Sequence, residues 1–138
     1  METNTMQALD SLCANEFDLR IDGESVSGIF RISGLVGFKL DENYNRVFEP
    51  IQVSKMVQRD GNNAFNKWLR ESEAGGRPTR TMAIVAVDDG VETRRWSIKG
   101  AWISEVRYSE FNTASFEMVE EIFTIQFGEI EESWPATK

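Results

Sequence analysis

Apolar residues recur at every second position over much of this chain, the spacing that places them on one face of an extended strand. Phe17, Leu19 and Ile21 alternate with Asp18 and Arg20. A turn pair, Asp22-Gly23, follows, and Val26 to Phe38 is rich in β-branched and aromatic residues but broken by Gly28, Gly34 and Gly37. The pattern predicts a hairpin whose second strand is curved, with bulges or bends at the glycines. A second hairpin is predicted around Asp89-Gly90. Its first strand, Thr79 to Val87, is apolar on both faces from Met82 onward, as in a strand covered on two sides. The return carries Trp96, Ile98, Gly100, Trp102, Ser104, Val106 and Tyr108 at even positions and Arg95, Ser97, Lys99, Glu105 and Arg107 at odd ones. That is one long half-buried strand, or two bent at Gly100, and it assigns Trp96 and Trp102 to the core.

The last long run, Ser115 to Phe127, sets Val119, Phe123, Ile125 and Phe127 on one face and Met118, Glu120, Ile122, Thr124 and Gln126 on the other. Val47 to Val57 reads as a further strand that Pro50 confines to an edge or a bulge. One segment has helical spacing. Asn62 or Asn63 caps Ala64 to Ser72, where Phe65, Trp68, Leu69 and Ser72 share a face, and Gly75-Gly76 and Pro78 stop it. No repeat, low-complexity tract or dividing linker interrupts the pattern. It predicts a single β-rich domain over residues 1–138, with an N-terminal arm (1–15), a C-terminal tail (133–138) and one short helix between strands.

Composition narrows the chemistry. The chain has 138 residues, no histidine and one cysteine, and its 15 Lys and Arg against 23 Asp and Glu give a net charge of −8. A domain of this size buries enough surface to fold without a metal or disulfide. Without imidazole there is no Ser-His-Asp or Cys-His site and no His-ligated metal, and Cys13 alone forms no internal disulfide. A reduced intracellular compartment, the cytosol, is the expected place of synthesis, and under the resemblance described below it would be the bacterial cytoplasm. Met1 to Asn15 lacks a basic start and an apolar core, so no signal peptide is read there. The longest apolar run, Met82 to Val87, is far too short for a membrane span of about 20 residues, and membrane insertion is not expected.

Carboxylates are the remaining catalytic candidates. Glu120 and Glu121 are adjacent on a strand, so their side chains point to opposite faces and cannot share a substrate. Asp88-Asp89 reads as turn residues before Gly90 rather than a cation site. No phosphate-binding glycine loop occurs. The sequence therefore assigns no catalytic, cofactor-binding or metal-binding residue and predicts a protein that is not an enzyme. Charge is unevenly placed. Gly61 to Lys99 holds seven basic and five acidic residues, whereas Ser109 onward holds seven glutamates and only Lys138 opposing them. The basic middle and acidic end invite docking between copies of the chain. Specific nucleic-acid binding is not expected, because the aromatic residues near the basic stretch fall on strand faces that a core would claim. Trp134, beside Pro135 in a polar tail, either folds back on the domain or meets a neighbour.

Several strings in order are similar to one family: Phe17-Asp18-Leu19 to Gly28, Gly34-Leu35-Val36-Gly37-Phe38, Gln58-Arg59-Asp60-Gly61 leading into Phe65-Asn66-Lys67-Trp68-Leu69, Trp96 to Trp102, Phe111-Asn112-Thr113-Ala114, and Val119 to Ile125. Together, over Asn15 to Glu132, they resemble the tail tube proteins of contractile phages and the inner tube proteins of phage-tail-like contractile injection systems. Gln58-Arg59-Asp60-Gly61 departs from the more basic, glycine-rich stretch expected there.

The resemblance implies two packed antiparallel β-sheets in a barrel-like domain with a flanking helix. It also implies hexameric rings stacked into a tube whose channel passes DNA or protein effectors. The implied partners are further copies of the chain, a sheath protein, baseplate or hub proteins and tube-terminating proteins, within a virion tail or phage-tail-like particle. Thr124 and Gln126, polar members of an otherwise buried strand, are expected to face the channel. Contacts between subunits are expected at Arg59, Asp60, Arg94, Arg95, Glu129, Glu131 and Trp134. Three alternatives remain: a tube-initiator or baseplate-hub protein of the same particle, a small soluble β-barrel ligand-binding module, and a carboxylate-dependent hydrolase.

Overall fold

A computed structural model describes residues 12–14 and 16–137. Most of the expected N-terminal arm lies outside these residues. The elements, in chain order, are β1 (Phe17–Ile21), β2 (Glu24–Ser25), β3 (Ile29–Ser33), β4 (Ile51–Met56), α1 (Ala64–Glu73), β5 (Arg80–Asp88), β6 (Val91–Tyr108), β7 (Glu120–Gln126) and β8 (Glu129–Ser133). All strand pairs are antiparallel, in the order β2-β1-β5-β6-β7-β4-β3, with β8 also on β6.

The 18-residue strand β6 divides this array in two. Up to Ala101 it pairs with β5, and Arg95 to Lys99 also pair with β8. From Trp102 to Tyr108 it pairs only with β7. The break falls at Gly100, whose φ of +66° is a left-handed conformation costly for any residue with a Cβ. The first sheet is thus β2-β1-β5-β6-β8 and the second is β6-β7-β4-β3. The expected two-sheet fold is present, and the sheets do not close into a barrel within one chain.

The apolar faces of both sheets meet in one core: Leu19, Ile21, Met82, Ile84 and Ile98 from the first, Ile51, Val53, Phe123 and Ile125 from the second. Helix α1 closes one end of the sandwich with Phe65 and Trp68, both fully buried. The Phe65 ring lies 4.9 Å from that of Phe123, and Trp68 donates its indole N–H to the Pro78 carbonyl at 2.9 Å. Asn63 caps the helix by accepting the Phe65 backbone N–H at 2.9 Å.

Four strand expectations change. Val26 to Phe38 is not one curved strand: β2 holds only two residues, and the chain crosses at Gly28 (φ +84°) to enter the second sheet as β3. β4 begins after Pro50 and is central, between β3 and β7, so the proline limits its start and not its position in the sheet. β7 begins at Glu120, leaving 115–119 in a loop. Trp102 leaves the core, because the bend at Gly100 puts Ala101 inside and turns Trp102 outward opposite Gln126. The Arg77 guanidinium carbon lies 4.9 Å from the Trp102 ring centre.

Candidate assembly surfaces

β7 sorts its side chains by face. Glu121, Phe123 and Ile125 are buried, whereas Glu120, Ile122, Thr124 and Gln126 lie on the opposite, partly exposed face. Thr124 and Gln126 share that outer face with Gln52 of β4 and with Ser104 and Glu105 of β6. Gln126 donates to the Ser104 hydroxyl at 3.2 Å, and Ser104 donates to the Thr124 carbonyl at 3.3 Å. Glu120 meets Arg31 of β3 at 3.4 Å on the same face. The second sheet thus turns a polar surface outward, and the two residues expected to line a channel lie at its centre.

Its inward face carries a group the sequence reading missed. Glu121 and Lys55 are direct cross-strand partners, 2.7 Å apart, with 4% and 0% of their side chains exposed. Such a charge pair is tolerated inside only when its remaining hydrogen-bond capacity is filled. Lys55 also donates to the Met56 carbonyl at 2.9 Å, and Asn66 of α1 donates to the second Glu121 oxygen at 3.2 Å. One carboxylate therefore joins two strands and the helix. The signal was present, since Glu121 sits in phase with Phe123 and Ile125. Tyr108, opposite Glu121, has its phenol pushed above its ordinary value by burial first, then by the charges of Glu121 and Glu73.

The edges of the two sheets differ. The first sheet ends in the two-residue β2 and in β8, whose sequence Glu-Ile-Glu-Glu-Ser is acidic. The second ends in β3 on one side and in Trp102–Tyr108 of β6 on the other, and neither has an outer partner among the described residues. The Ser109 N–H donates to the Glu120 carbonyl at 3.0 Å. By the antiparallel alternation, the backbone N–H and C=O groups of Val106 and Tyr108 then point to the free side.

Loops extend from both ends of the second sheet. The segment 34–50 joins β3 to β4 at one end and exposes Phe38 and Tyr44. The segment 109–119 joins β6 to β7 at the other and exposes Phe111, Phe116 and Met118, with Phe116 fully exposed. The sequence reading singled out none of these side chains as contacts, although Phe38 and Phe111 fell within the resembling strings.

The remaining expected contact residues lie on the first sheet and one turn. Arg94 pairs with Glu132, and its guanidinium carbon lies 5.4 Å from the Trp96 ring centre and 5.3 Å from that of Trp134. Trp134 thus folds back beside Arg94 while remaining half exposed. Arg95 pairs with Glu92, and Lys99 lies 3.3 Å from Glu129 and 3.6 Å from Glu131. The basic middle and acidic end of the chain meet within one subunit. Arg59 and Asp60 are exposed in the turn before α1, where Asp60 accepts the Asn62 N–H at 2.9 Å. Among the described residues no three acidic or cysteine side chains gather as a metal site would require, and no helix is long and apolar enough to cross a membrane.

Comparison with known proteins gives a consistent result. A family model described as T4-like virus tail tube protein gp19 matches residues 38–131. No curated protein matches. Among solved structures, a chain of the PVC extracellular contractile injection system sheath–tube complex in its extended state aligns with a TM-score of 0.75 at 13% identity, covering 97% of this chain and 99% of that one. A chain of the anti-feeding prophage tube-terminating cap aligns with a TM-score of 0.75 at 17% identity, covering 90% and 91%. Hcp1 from Flavobacterium johnsoniae aligns with a TM-score of 0.58 at 12% identity, covering 86% and 94%. The structural matches share the fold, the family model spans most of the chain, and the protein belongs to the T4-like virus tail tube protein gp19 family, a family of structural tube proteins.

Proposed function

We propose that this chain is the inner tube subunit of a contractile tail or injection particle, closing sideways into six-membered rings that stack around a channel for DNA or protein effectors. The observation that carries this reading is the pair of unpaired edges on one sheet. Strand direction alternates through β6, β7, β4 and β3, so β3 of one copy and β6 of the next run antiparallel when placed side by side. Ring closure then continues the ladder without an exposed edge, which otherwise invites uncontrolled pairing. Six copies with four strands each make a barrel of about 24 strands, beyond the roughly 16 at which barrels leave an aqueous channel.

In such a ring the polar face holding Thr124 and Gln126 lines the lumen, and the salt-bridged face of the first sheet, with Arg95, Lys99, Glu129 and Glu131, turns toward a sheath. The apolar loops at opposite ends of the second sheet suit head-to-tail stacking, in which each ring presents a different surface upward and downward. At −8 per copy, rings are acidic and bind a passing phosphate backbone weakly. The role is mechanical, with no catalytic step. A capping or hub role in the same particle is the second reading, favoured by the equal likeness to a tube-terminating cap.

Negative-stain electron microscopy and size-exclusion chromatography test this reading. The wild-type protein, alone or with baseplate partners, forms rings or tubes, and Val106→Pro, which removes an outward backbone donor without touching the β7 ladder, remains monomeric. A wild-type protein that stays monomeric at all concentrations and with nucleating partners overturns it. Replacing Thr124 and Gln126 with lysine is expected to change passage of cargo and to leave rings intact.

A further inference from the structure

Helix α1 seals one end of the sandwich, but the other end opens as a groove of about 440 Å³. Phe17, Ile84, Ala86 and Trp96 of the first sheet form one wall, and Phe30 and Ile32 of β3 form the other. Register shifts between Ile29 and Arg31, so Phe30 is the extra residue of a β-bulge on the free edge. Cys13 and Glu16 stand at the groove lining beside these walls.

At the other free edge of the same sheet lies a second incompletely covered apolar strip. Ile103, Val106 and Tyr108 pair with Ile125, Phe123 and Glu121 and therefore share the core-side face. β5 ends its pairing at Ala101, so no strand among the described residues flanks this strip on its outer side, and Tyr108 is 51% exposed.

We propose that the groove is a socket for the Ile103, Val106 and Tyr108 strip of a second copy of this chain. The inference rests on the ring reading above and names the contact that completes it. A strand added to β3 must bring its side chains with it, and those on the core-side face arrive over Phe30 and Ile32. The apolar core then runs without interruption from subunit to subunit around the ring. A small ligand fits the groove less well. Its lining is mainly apolar, with Glu16 and Arg31 the charged residues in it, and it opens along β3, which has no outer partner among the described residues.

Cys13 reports on this contact. It is exposed, it lies in the groove lining, and it is the single cysteine of the chain, so a maleimide labels one position. Labelling is measured on rings and on the monomeric Val106→Pro protein. If the groove is covered, the thiol in rings reacts about tenfold slower or more. Equal rates with rings visible by electron microscopy overturn the socket and leave the ring reading standing. Absence of rings overturns both. As a second measurement, Tyr108→Ser leaves the unfolding midpoint within error of wild type and shifts the ring–monomer equilibrium at least about tenfold toward monomer. An unchanged equilibrium overturns the proposal.

Discussion

The two sheets share a strand and a core yet end differently. On the first sheet, one edge is two residues long and the other is a row of glutamates. On the second, both edges are strands of five to seven residues with free backbone groups. Short and charged edges are the usual protection against unwanted pairing. In the ring proposed above, the sheet with two open margins is the one a neighbour extends, and its polar outer face is the one the closed barrel would turn inward.

The largest effect is expected where the second sheet is held together internally. Glu121→Ala leaves Lys55 buried and uncompensated, which destabilises by about 3–5 kcal/mol and is measured as a fall in the urea midpoint. Replacing both partners with apolar residues, Lys55→Met with Glu121→Leu, recovers most of that loss. If Glu121→Ala unfolds no more easily than wild type, the pair does not hold the sheet.

A smaller effect tests the guarded edge. Glu129→Thr with Glu131→Thr removes the charges that keep β8 from pairing, at positions whose partner Lys99 is itself exposed. The subunit stays folded, but light scattering detects irregular aggregates in place of uniform rings. Unaltered rings would mean that the difference between the edges lies in length and not in charge.

The smallest effect lies within the first sheet. Burial alone would push Asp18 up, but hydrogen bonds from Ser25 and Arg20 and the Arg20 charge outweigh it and hold its carboxyl below the usual range. A depressed carboxylate contributes stability that is present above the unfolded value of about 3.9 and is lost as pH falls through the folded one. Asp18 is partly exposed, so Asp18→Asn should lower stability at pH 7, read from the urea midpoint, by less than about 1 kcal/mol, and the difference from wild type should vanish as pH falls below about 4.

Much of this was legible in the chain. The β1–β2 turn, the β5–β6 hairpin, the bend at Gly100 and the capped helix each follow from local chemistry: Asp-Gly pairs, alternation, and an asparagine before an apolar face. The errors came where the chain changes sheet. Period two tells which residues share a face but not which face is inward once a glycine resets the phase, so Trp102 was placed inside and Val26 to Phe38 was read as one strand. The sequence rules out a shared substrate for Glu120 and Glu121 but does not reveal the Lys55 partner of Glu121, which lies 66 positions earlier, a distance that alternation within one strand cannot report. Phe116 and Met118 fall within the strand predicted over Ser115 to Phe127 for the same reason that strands are found at all: the apolar residues there are closely spaced.

Because β6 runs through both sheets, the two layers are joined by main-chain bonds as well as by side-chain contact. In the tube proposed above, force applied along the axis to one layer must be passed to the other. In a sandwich of separate sheets that shear would fall on apolar contacts, which resist sliding poorly because they are non-directional. In this chain part of it is carried along one covalent strand through Gly100 and by the ladders on both of its sides.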